Sequence, residues 1–236
     1  MDDFIEAPRE LVENNQEFII CVDIMLINQQ ALFTTVDKYI RFWWFVPLAN
    51  ITKEECYRDL YVIIRYNNKP GFTFKRIECD GEFKSNMDEV RNDMGMETNY
   101  YNPDNHVPEA ERNNRVINYR FRIAYYPLPY KNIPRIMICH LVMNVTQNLN
   151  IFPTKRGVLS HYSPHMIVSQ SNWGYNKHWH AEFGAYVNSS QVNDPKNTDL
   201  PRTLDGIYLC PAPNFQGRHH IMDLWIGQFN TIPKLV

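Results

Sequence analysis

Residues 18–28, FIICVDIMLIN, constrain this chain more than any other stretch: an almost unbroken apolar run with one acid, Asp23, at its middle. A strand covered on both faces has this texture, so the run predicts a sheet with helices on both sides. An isolated ionised carboxylate inside such a strand is prohibitively costly. Asp23 therefore has a compensating cation, or it lies at an edge of the fold facing solvent. A salt bridge to Arg or Lys is the ordinary solution.

Two further strands follow at once, ALFTTVD (31–37) and YIRFWWFVP (39–47), with connections short enough for an antiparallel meander. Cys56, Leu60, Ile63 and Ile64 recur at helical spacing, and Lys69-Pro70-Gly71 stops that helix. FTFKRIEC (72–79) reads as a fourth strand, ending at Asp80-Gly81. A short helix around 84–94, a short strand near 96–100 and a turn at Asn102-Pro103-Asp104-Asn105 come next. A helix from Glu109 to about Tyr126 is then ended by Pro127 and Pro129, and another covers about 134–150. Strands that first meander and later alternate with helices predict an α/β fold with a mixed sheet flanked by helices. After about residue 185 the texture changes: NSSQVNDPKNTDLP (188–201) is a polar linker by composition. Two strand-like runs around a Pro/Gly turn then suggest a small β module. The expected division is an acidic segment at 1–17, a core at 18–187, and linker plus β module at 188–236.

The 236 residues, 44% of them hydrophobic, suffice for one good-sized domain and a small appendage. The apolar runs fall short of the ~20 residues that span a bilayer, and the acidic start does not read as a signal peptide. Five cysteines, scattered and never spaced C-x-x-C, argue against a disulfide framework and fit a reducing compartment. An intracellular protein of nucleus or cytoplasm, without a membrane partner, is the expectation. The net charge of −2 hides an asymmetry: residues 1–17 carry −5 and the remainder +3. Between Arg112 and Lys131 five bases occur without an acid. Such a stripe can contact phosphates, although a solvated helix face is its plain reading.

Three carboxylate positions stand out. Asp23 lies within the first strand. Asp80 ends the fourth, followed by Gly81, and ligands of α/β sheets gather outside the carboxyl ends of strands; a simple Asp-Gly turn is the ordinary account. Glu109 and Glu111 open the long helix, but two residues apart they point about 200° away from each other, so only one can face a common site. Glu111 shares its face with Arg115 and Arg122, and an i,i+4 Glu–Arg pair would explain it without any site. Taken together, a carboxylate on strand one, one on strand four and one on the helix after strand five can hold two Mg²⁺ or Mn²⁺ ions beside a phosphodiester. Hard cations of this kind select oxygen ligands.

The runs CVDIMLIN, ECDGEF, HVPEAERNNR, LNIFPTKRGVLSHYSPHMIV, YNKHWHAEFGAYV and LCPAPNFQGRHH, in this order, resemble the integrase region of copia-type LTR retrotransposon polyproteins. The likeness extends from about residue 10 to the end, with ECDGEF and HVPEAER its specific pieces. It implies an RNase H-like core, with three antiparallel strands followed by parallel ones. It also implies a DDE set of Asp23, Asp80 and Glu111 binding two Mg²⁺ or Mn²⁺ ions. Glu111 rather than Glu109 fits because the family's glutamate directly precedes an Arg, as Glu111 precedes Arg112. The implied activity is DNA 3′-end processing and strand transfer by a homo-oligomer, with Arg112, Arg115, Arg120 and Arg122 on DNA phosphates. Two departures stand beside it. The acids are 57 and 31 residues apart, the second spacing short for integrases, and no His/Cys zinc module precedes the core. An inactive remnant that binds DNA or protein, and an RNase H-like nuclease that only hydrolyses, are the alternatives.

Other motifs are weaker. The pairs His161/His165, His178/His180 and His219/His220 lack an H-E-x-x-H helix or a C-x-x-C partner. Cys139 beside His140 reads as core packing. No phosphate-binding glycine motif occurs, so no nucleotide cofactor is expected. The five tryptophans read as core.

Overall fold

The computed structural model describes residues 9–14, 17–67, 72–83, 92–93, 95–101, 107–154, 161–171, 173, 178–190, 203–212, 217–233 and 235. The helix expected around 84–94 and the turn at 102–105 fall largely or wholly outside these; of the linker expected at 188–201, residues 188–190 belong to a strand and the rest lies outside. The chain divides into two compact units, Met1–Arg120 with Thr146–Asn172, and Phe121–Val145 with Trp173–Val236.

The first unit holds a five-stranded sheet. Its strands are β1 (Glu17–Ile27), β2 (Gln30–Asp37), β3 (Trp43–Pro47), β4 (Thr73–Asp80) and β5 (Glu97–Tyr101), in spatial order β3-β2-β1-β4-β5. The β1–β2 and β2–β3 pairs are antiparallel, and the β1–β4 and β4–β5 pairs are parallel. This is the mixed, RNase H-like arrangement expected of the chain. Helices are α1 (Arg9–Asn14), α2 (Lys53–Asn67), α3 (Pro108–Tyr125), α4 (Arg135–Ile151) and α5 (Pro164–Ser169), α3 and α4 each having a part in both units.

Side chains alternate across a strand, and the two faces of this sheet differ in kind. Phe18, Ile20, Val22, Phe33, Ile77 and Cys79 point to one face and pack with Cys56, Leu60 and Ile63 of α2 and Ile167 and Val168 of α5. Cys56, Leu60 and Ile63 are positions whose helical spacing is read from the sequence, and the whole set forms the main core. The opposite face carries Cys21, Asp23, Thr34, Val36, Glu78 and Asp80, and α3 is tied to it by side-chain bonds described below.

The third strand begins at Trp43, four residues later than the 39–47 run suggested. Its first residues are drawn into a turn by Asp37, a buried carboxylate that accepts backbone N–H bonds from Tyr39 (2.9 Å), Ile40 (2.5 Å) and Ile19 (3.1 Å). Arg41 completes the turn in the left-handed region, φ 62°. Burial raises the Asp37 pKa to about 6, against the pull of those three N–H groups. At the sheet's edge the Asn150 amide of α4 exchanges two bonds with the Trp43 backbone, each 2.8 Å.

The second unit holds an antiparallel sheet of β6 (Tyr186–Ser190), β7 (Thr203–Pro211), β8 (His219–Asp223) and β9 (Phe229–Ile232). Met137, Ile207, Leu209 and Cys210 form its core. This is the small β module expected beyond residue 185. No helix of the described residues is long and apolar enough to cross a membrane.

Candidate active site

Parallel pairing of β1 with β4 sets Cys21 opposite Glu78. The pairing ends there; Asp23 and Asp80, each two residues further on, are on the same face of neighbouring strands and both half-buried. Asp80 also pairs with Tyr101 of β5 at the carboxyl ends of two parallel strands, where ligands of such sheets collect. Gly81 follows, and a Cβ there would lie 3.3 Å from the Tyr101 carbonyl oxygen, so the chain leaves the sheet in tight contact.

The start of α3 is pinned to both aspartates. The Val107 N–H, one residue before the helix, donates to Asp80 Oδ1 at 3.2 Å. Asn114 Nδ2 donates to Asp23 Oδ2 at 2.6 Å. Thr34 Oγ1 lies 3.1 Å from the Asp23 carbonyl oxygen and 2.8 Å from Asn114 Oδ1, so its single proton can serve either. Asn118 Nδ2, one turn further, meets Met25 Sδ at 3.3 Å. Glu111 is four residues beyond Val107 and three before Asn114, and its N–H bonds the Val107 carbonyl at 3.1 Å. It therefore sits on the helical stripe that runs from Asp80 to Asp23, with its side chain exposed. Arg112, Arg115, Arg120 and Arg122 are exposed along α3.

A second acidic cluster lies one pleat inward. Cys21, Glu78 and Glu109 have ligand atoms within 4.8 Å of one another, a closeness that Asp23, Asp80 and Glu111 do not reach among the described residues. The inner cluster is already neutralised. Glu78, 2% exposed, accepts from Lys38 Nζ at 3.0 and 3.2 Å and lies 3.4 Å from Arg76. The Tyr101 hydroxyl adds a bond of 3.4 Å and the Cys21 thiol one of 3.8 Å. Burial, then the charges of Glu78 and Glu109, push the Cys21 thiol up, so it stays protonated. A hard cation gains little from a neutral thiol and would have to displace a lysine. The inner cluster is an ion-pair node of the fold, and it fixes where Glu109 goes: inward, away from the stripe of Glu111.

Sequence reasoning missed Asn114 and Glu78. Asn114 was findable as the residue one turn after Glu111 on the same stripe. Glu78 was findable as the acid two before Asp80, hence on the same strand face. In the second unit His178 and His219 are buried, and His219 Nδ1 is 3.3 Å from the Tyr208 hydroxyl. Burial, with His180, His178 and His220 nearby, lowers the His219 pKa to about 4. His140 is bonded to Cys210 at 3.5 Å and likewise lowered to about 4 by burial and His220. Cys139 is not its partner in that contact.

No protein-family model matches the chain, and no curated protein matches it. Among the solved structures similar to it are two retroviral integrase cores. One is the catalytic core domain of BIV integrase, 14% identical, covering 64% of this chain and 93% of its own, with a TM-score of 0.48. The other is the HTLV-2 integrase catalytic core domain in complex with magnesium, in a trimeric form, 16% identical, covering 65% and 96%, with a TM-score of 0.49. The fold assignment rests on the strand order and pairing of this chain itself.

Proposed function

We propose that the first unit is an integrase catalytic core, acting on DNA phosphodiesters through Asp23, Asp80 and Glu111. The observation that carries this reading is the double anchoring of α3: Val107 to Asp80 and Asn114 to Asp23, with Glu111 on the stripe between. Asp23 and Asp80 lie on one face of the sheet, and Glu111 lies on the stretch of α3 between the two bonds, which supports grouping it with them. Their donors are carboxylate oxygens, the set that hard divalent cations select. Two Mg²⁺ or Mn²⁺ ions held there would supply activation of the attacking oxygen and neutralisation of the leaving one.

The chain's own residues do the rest. Asn114 and the Ile24 N–H orient the Asp23 carboxylate, and Thr34 holds Asn114. The Val107 N–H fixes the Asp80 carboxylate against the start of α3. Arg112, Arg115, Arg120 and Arg122 meet the phosphates flanking the scissile bond. The reaction is trimming of an element's DNA ends by water, then attack of the 3′-hydroxyl on target DNA. A homo-oligomer would bring two ends together, within nucleus or cytoplasm, and the copia-type ancestry is part of this reading. The test is strand transfer with a labelled donor duplex in Mg²⁺, wild type against Asp80→Asn. Joined product from the wild type alone is expected; equal product from both refutes the assignment.

A further inference from the structure

Sulfur and imidazole converge in the second unit, at a place the proposed DNA chemistry does not use. His140 and Met143, three residues apart on α4, share one face of that helix, and both meet Cys210 of β7. Cys210 Sγ lies 3.5 Å from His140 Nδ1 and 3.5 Å from Met143 Sδ. All three residues belong to the same unit. Cys210 and His140 are buried, while Met143 is half-buried and leaves an ion a way in. Thiol and thioether make only weak hydrogen bonds, so as hydrogen bonding this meeting adds little to the core. As metal ligands the three atoms are well matched. Metal bonds of about 2.3 Å to sulfur and about 2.0 Å to an imidazole nitrogen put neighbouring ligand atoms roughly 3.5–3.8 Å apart at tetrahedral angles. Both separations found here are close to that.

Charge selects the ion. Burial pushes the Cys210 thiol up, so it holds its proton. Burial, with His220 nearby, lowers His140 to about 4, so its imidazole is neutral and has a lone pair to give. A monovalent cation that replaces the thiol proton leaves the buried site as neutral as before. A divalent cation would leave a net positive charge, which is costly to bury. Among the described residues no third histidine, cysteine or carboxylate comes within 4.8 Å of both Cys210 Sγ and His140 to offset it. Thiolate and thioether are soft ligands, and the soft monovalent ion they select is Cu(I). We propose that Cys210, His140 and Met143 form a site for one Cu(I) ion, the thiol proton passing to solvent as the ion binds. Hard Mg²⁺ at the acids and soft Cu(I) here draw on different ligand sets, so either can be present without the other.

The test is competition for Cu(I) between the whole chain and the chelator bicinchoninate, at neutral pH under argon with ascorbate. Wild type is expected to withdraw one copper per chain more than Cys210→Ser does, a difference that sets aside the four other cysteines. Met143→Leu is close in volume and keeps the fold safe if the serine variant fails to fold. It is expected to weaken the affinity about tenfold or more, the least that loss of a metal's partner costs. Cu(I) should also raise the melting temperature of wild type more than that of Met143→Leu. No copper taken by the wild type, or copper held equally well by either variant, overturns the site and leaves the three side chains as core packing. Zn²⁺ held as tightly as Cu(I) overturns the choice of ion.

Discussion

Two rungs of one sheet, a single pleat apart, use the same residue chemistry to opposite ends. On the inner rung, Glu78 lies 2% exposed beside Cys21, saturated by Lys38, Arg76 and Tyr101. On the outer rung, Asp23 and Asp80 are half-buried and accept N–H bonds from Asn114 and Val107. A carboxylate met by ammonium and guanidinium groups has its charge cancelled and becomes a structural tie. Amide N–H groups, by contrast, orient a carboxylate without cancelling its charge. Depth in the sheet and the choice of donor, rather than the acid itself, separate framework from candidate chemistry.

The sharpest way to break this contrast is to exchange carboxylate for amide on each side of it. Glu111→Gln is expected to lower strand transfer by on the order of 10³, with a melting temperature near wild type, because it removes a charge met only by the cation and substrate. Glu78→Gln is expected to keep joining within a few-fold per folded molecule. If Glu78→Gln abolished joining in folded protein and Glu111→Gln did not, the two rungs would have been assigned the wrong way round.

Stability should invert the order. Glu78→Ala strands Lys38 and Arg76, and a loss of about 3 kcal/mol in urea unfolding is expected, at the low end for a buried pair because Lys38 keeps some hydration. Asp80→Asn, by contrast, should cost about 1 kcal/mol or less. Asn114→Ala should act between the two: about 1 kcal/mol in stability, and an Mg²⁺ requirement raised about tenfold as Asp23 loses its orienting bond. An unchanged Mg²⁺ dependence would remove Asn114 from the site. The smallest effect concerns pH. Burial would lower the Lys38 pKa, but its bond and charge contact with Glu78 win and raise it above the ordinary 10.5. The stabilisation is therefore fully present below pH 10.5 and is lost as pH climbs through the raised value. The urea midpoint of wild type should fall in that alkaline window, and that of Lys38→Met should stay flatter.

Much of this was legible in the residues. FIICVDIMLIN had to be a central strand, and the spacing of Cys56, Leu60 and Ile63 had to give an amphipathic helix, because local periodicity alone settles them. The start of β3 was not legible, since a turn built by Asp37 overrides the β-propensity of Tyr39 and Ile40. Nor were the ties that shape the site. Asn114 meets an aspartate 91 residues away, and Glu78 meets a lysine 40 residues away. Partners so distant leave no mark in any local window. That Glu109 turns toward Glu78 depends on the helix's rotation against the sheet, which only packing supplies.

One side chain at the rim of the sheet has a consequence for how the molecule keeps to itself. β3 is an outermost strand, and an open strand of Trp and Phe residues offers unpaired peptide groups to any passing chain. At Trp43 the Asn150 amide occupies both of those groups, standing in for a neighbouring strand one residue long. There the strand's outward groups are already bonded, so a further strand could pair with that residue only by displacing the Asn150 amide, which also fastens α4 to the sheet.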